Sequence, residues 1–229
     1  MKVGLFANTY GDIQRLRNIL IEFERYDVSH AFSLGNLISS LSQQPDKGLN
    51  KESLQCLDEF EGYAPSSGRR FTPVYFRGFT EGSFLEREAR EGRARSNDYN
   101  RIVIHSEVNM VGIGNDRTYG LTTDRKSSFD PSKKEKVDKT VPIPEPRRVL
   151  TEQDAINVYR FLRDMNGDAS ICCVGNTHTQ SAFEISGGRA SPMNQSKIPI
   201  AREKSYLVSP SYKNKGHMII DDDFITLFD

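Results

Sequence analysis

Residues 171–185 read Ile-Cys-Cys-Val-Gly-Asn-Thr-His-Thr-Gln-Ser-Ala-Phe-Glu-Ile. Four apolar residues stop at Gly175, and Asn176, Thr177 and His178 follow at once. A short apolar run closed by glycine is the pattern of a strand buried on both faces. In open α/β sheets, ligands sit beyond the carboxyl ends of such strands. The same punctuation occurs at Ala7-Asn8-Thr9-Tyr10-Gly11 and at Leu34-Gly35-Asn36. Glycine lets the backbone come close to a ligand, and the polar neighbour faces the crevice. The three tips are therefore expected to converge on one face.

The elements around these tips can be read by periodicity. Residues 2–7 form a buried strand, and Asp12 opens a helix with Ile13, Leu16, Ile19, Leu20 and Phe23 on one face. Val28 to Leu34 is a second strand, so the first 35 residues make a βαβ unit with parallel pairing and a right-handed crossover. Residues 50–61 read as an amphipathic helix through Leu54, Leu57 and Phe60, then Thr72–Phe76 as a strand and 83–91 as a short charged helix. Arg101–His105 and Val108–Ile113 form either a hairpin or one bent strand. Thr151-Glu-Gln-Asp154 resembles a capping box with Asp in place of Glu or Gln. Its helix places Ala155, Tyr159, Leu162 and Met165 on one stripe and stops at Asn166-Gly167. Ala182–Ile185, Tyr206–Val208, His217–Ile220 and Phe224–Phe228 are strand-like. Strands and helices alternate first, then strands dominate, which predicts a layered α/β fold with sheets inside and helices outside.

Bulk composition excludes several classes of function. The chain has 229 residues, enough for a substantial core, with 31 Lys+Arg balanced by 31 Asp+Glu. That balance supplies no overall field to gather nucleic acid or an anionic membrane. No apolar stretch approaches the roughly 20 residues of a membrane helix, and no signal-peptide pattern is present. Three cysteines do not make a disulfide framework, so a cytoplasmic location is expected. Cys172 and Cys173 read as core residues on opposite faces of a strand. The stretch 116–148 carries Lys/Arg/Asp/Ser clusters and then Pro142, Pro144 and Pro146; it reads as a polar surface insertion in a single domain spanning 1–229.

The order of these motifs resembles the calcineurin-like metallophosphoesterases, particularly the small bacterial and archaeal phosphodiesterases. That family runs Asp-x-His-Gly, Gly-Asp, Gly-Asn-x-Asp/Glu, a strand ending in His, Gly-His-x-His and a late Asn-Pro-Gly-Ser-like turn. The resemblance covers nearly the whole chain and implies a layered β-sheet sandwich flanked by helices. Carried over residue by residue, it sets Asn8 at the first Asp, Tyr10 at the first His and Asn36 at the metal-bridging Asp. Phe79 replaces the ligand Asn and Thr80 the His or its equivalent, while Glu81 matches the closing acid. Asn176 replaces the first His of Gly-His-x-His, and His178 matches the second. Ser209-Pro210-Ser211 resembles an eroded final turn. Either His105 or the Gly114-Asn115 position aligns with the mid-chain His.

A pair of divalent cations needs anionic ligands to bridge phosphate and activate water. Asn8 and Asn36 keep the shape of aspartate but not its charge, and one matching imidazole does not hold a two-metal site. The crevice of Asn8, Tyr10, Asn36, Glu81, Asn176 and His178 is thus read as vestigial. No cofactor is expected, and the chain is expected to act as a binding or scaffold subunit for a protein partner. Scaffold members of the superfamily supply the analogy. Two other readings stay open. One is an active phosphodiesterase or phosphatase with an altered site, in which His178, Asn8, Asn36 and His105 hold a metal such as Mn²⁺. The other is a phosphate or nucleotide binder without hydrolysis, using backbone N–H groups at Gly35 and Gly175 with Arg77 nearby.

Overall fold

The computed structural model describes residues 2–35, 37, 51–68, 70–75, 101–103, 109–113, 150–166, 170–175, 179–210 and 216–228. The charged helix expected at 83–91 and the insertion at 116–148 lie outside these residues.

β1 (Val3–Phe6) is buried along its whole length, as its apolar run requires. Asp12 caps α1 (Ile13–Arg25) by accepting a hydrogen bond from the Arg15 backbone N–H at 2.9 Å. The helix lays Leu16, Ile19, Leu20 and Phe23 against the sheet and returns the chain to β2 (His30–Ser33). β1 and β2 pair in parallel, with Val3 opposite His30 and Phe6 opposite Ser33, as the βαβ pattern predicts. α2 (Lys51–Glu61) and β3 (Thr72–Tyr75) continue the parallel arrangement next to β2. Gly4 makes this packing fit: a Cβ there would lie 2.4 Å from the Phe23 ring.

β4 (Arg101–Val103) and β5 (Asn109–Ile113) pair antiparallel, which resolves that segment as a hairpin. α3 (Glu152–Asn166) begins with the expected reciprocal cap. The Thr151 N–H and Oγ1 both donate to Asp154 Oδ2, at 3.1 and 2.7 Å, and the Asp154 N–H donates to Thr151 Oγ1 at 3.1 Å. There follow β6 (Ile171–Val174), β7 (Ser181–Ser186), β8 (Arg189–Pro192), β9 (Lys197–Pro199), β10 (Ser205–Ser209), β11 (His217–Ile220) and β12 (Phe224–Phe228).

Among the described residues the strands form two six-stranded sheets, ordered β3-β2-β1-β11-β12-β9 and β4-β5-β6-β10-β7-β8. Val3, Leu5, Phe32, Leu34, Cys173, Tyr206, Val208 and Met218 fill the space between them. Phe6, Leu20, Phe23, Phe60 and Leu57 pack the first sheet beneath α1 and α2. Cys172, Val174, Phe183 and Leu207 pack the second beneath α3. Cys172 and Cys173 therefore face opposite layers, and burial pushes both thiols up, away from the reactive thiolate. Three of the four outer strands carry proline (Pro73 in β3, Pro192 in β8, Pro199 in β9), which removes ladder donors and blunts edge pairing.

Candidate functional site

Parallel pairing sends the carboxyl ends of β1 and β2 to the same edge, and hydrogen bonds tie the two tips together. The Asn8 N–H donates to the Gly35 carbonyl at 2.9 Å, and the Leu34 N–H donates to Phe6 at 2.8 Å. The Leu37 carbonyl accepts from the Gly11 N–H at 2.9 Å and from Thr9 Oγ1 at 2.8 Å. The tip is held in an unusual backbone. Asn8 has φ +59°, Tyr10 +51°, Gly11 +80° and Gly35 +98°. Asparagine tolerates the left-handed region because its short amide bonds locally, whereas an aromatic side chain there is strained. Strain of this kind persists where the surroundings over-determine it, and it concentrates at ligand clamps and active sites.

The third tip comes from the other sheet. A Cβ on Gly175 would lie 1.8 Å from the Leu34 carbonyl oxygen, so only glycine lets β6 end against β2. The convergence expected from Asn8, Gly35 and Gly175 is thus present, and the two sheets meet where the sequence punctuation recurs. β10 runs parallel to β6 and ends nearby at Ser209, which is fully buried and opposite Ser181 of β7. From Gln180, just before β7, Nε2 donates to the His217 carbonyl at 3.1 Å, a further link from one sheet to the other at this edge. His217 itself stacks on Phe228 at 4.6 Å and meets the Phe23 ring edge-on at 5.6 Å, a packing role in the helix-side layer.

Of the residues singled out by sequence, Asn8 is wholly buried and Tyr10 partly so. Asn36, Arg77, Phe79, Thr80, Glu81, His105, Gly114, Asn115, Asn176, His178 and Ser211 lie outside the described residues. Sequence reasoning missed Arg15. Its guanidinium donates to the Asn8 carbonyl at 2.8 Å and approaches the Ala7 carbonyl at 3.5 Å, so a cation braces the β1 tip from α1. A signal was present: Arg15, Ile19 and Phe23 form one i, i+4, i+8 row on the buried stripe of α1.

Asn8 and Tyr10, the described residues at ligand positions of the resembled family, give a two-metal centre no anionic or imidazole ligand. At the β1 tip the donor is a neutral amide with no exposed surface, and a guanidinium sits within hydrogen-bonding distance of the same residue's carbonyl. Divalent cations seek anionic oxygen or imidazole ligands, and Asn8 supplies neither. Among the described residues, no three His, Cys, Asp or Glu side chains are grouped.

No family model matches the chain, and no curated protein is detectably similar to it in sequence. Solved structures do match it in shape. A metallophosphoesterase from Sphaerobacter thermophilus is similar with a TM-score of 0.54 at 12% identity, over 99% of this chain and 86% of that one. An archaeal phosphodiesterase is similar with a TM-score of 0.50 at 12% identity, over 100% of both chains. What is shared at this identity is the fold alone. The chain has the α/β metallophosphoesterase fold.

Proposed function

We propose that this chain is a binding or scaffold subunit built on a metallophosphoesterase fold whose hydrolytic chemistry has lapsed. One observation carries the reading. The residue standing at the family's first aspartate is Asn8, completely buried, in a left-handed backbone that the β2 tip and Arg15 hold in place. The frame that would position a metal ligand is thus kept while the ligand's charge is gone. Asn36, at the position of the bridging aspartate, extends the same neutralisation in the sequence.

The partner we envisage is another protein. With proline in three outer strands, strand addition is a poor docking mode there, so the partner would engage side-chain surfaces. Buried cysteines outside any disulfide suit a reducing cytoplasm, and no described helix is long and apolar enough to cross a membrane. The test is to incubate the purified chain with Mn²⁺, remove excess, measure bound metal by mass spectrometry and assay hydrolysis of bis-p-nitrophenyl phosphate. Metal well below one equivalent and no turnover above buffer are expected. Two equivalents with turnover overturn the proposal.

A further inference from the structure

We draw no further inference here: the strongest candidate, the cleft of about 150 Å³ between Arg160 and Arg163 of α3 and the Gly187-Gly188 turn joining β7 to β8, presents two exposed guanidinium groups, and nothing in the structure shows what covers it.

Discussion

Replacing Gly175 with alanine places a methyl group 1.8 Å from the Leu34 carbonyl oxygen and 2.9 Å from its carbon. Ordinary contact between such atoms begins near 3.4 Å, so one sheet edge must retreat by about 1.6 Å. The obstacle is backbone, not the mobile end of a side chain. Leu34 is also the residue whose N–H bonds Phe6, one step before Gly35 accepts from Asn8, so the retreat disturbs the ties between the tips. Overpacking a buried site costs typically ~1–3 kcal/mol, and a backbone clash this close lies at the upper end, about 3 kcal/mol. For a chain of this size each kcal/mol moves the melting temperature by roughly 2–4 °C, giving a loss of about 6–12 °C. Urea unfolding followed by circular dichroism, alongside thermal melts, measures it. The exposed Ser191→Ala serves as control and should stay within about 0.5 kcal/mol of the parent. If Gly175→Ala also stays within about 0.5 kcal/mol, the sheets do not meet as described, and the convergence of tips is wrong.

Three further outcomes follow from the same structure. Tyr10→Ala and Tyr10→Gly lose the same aromatic ring, but only alanine keeps the left-handed penalty at φ +51°, so the glycine variant should be more stable by about 1 kcal/mol in urea. Asp154→Ala removes the acceptor of both Thr151 donors and should cost about 1 kcal/mol, read as an earlier melt with unchanged fold. Burial, and then the positive charge of Arg70, hold the His30 imidazole below its ordinary value of 6.5. The unfolded chain therefore takes up a proton first, and stability present above pH 6.5 should decline as pH falls through the folded value. A His30→Asn variant should show a flatter stability profile just below pH 6.5, before the carboxylates protonate.

Most of the scaffold was legible in the sequence because its signals are local. The Asp12 cap, the α1 stripe and the Thr151–Asp154 box each sit within a few residues and need no partner to be recognised. The recurring Gly and Asn at strand ends announced the convergence of Asn8, Gly35 and Gly175 before any pairing was known. β8 and β9 carry no strand signal in the sequence. Each is an outer strand with a single buried residue, Ala190 and Ile198, amid Arg, Ser, Lys and Pro, so no two-residue alternation shows. Their strand character comes from the neighbours β7 and β12, not from themselves. Arg15 escaped notice for a related reason: a cation on an apolar stripe is legible only when the carbonyls it serves, seven and eight residues earlier, are known to lie beneath it.

The proposed loss of metal chemistry can be tested most directly in a crystal grown with manganese and measured at an energy where manganese scatters anomalously. No anomalous peak within coordinating reach of Asn8 is the predicted result, with ordered water at the tips. Two strong peaks a few ångströms apart beside Asn8 would show that amides suffice to hold the pair, and the account of a lapsed hydrolase would be wrong.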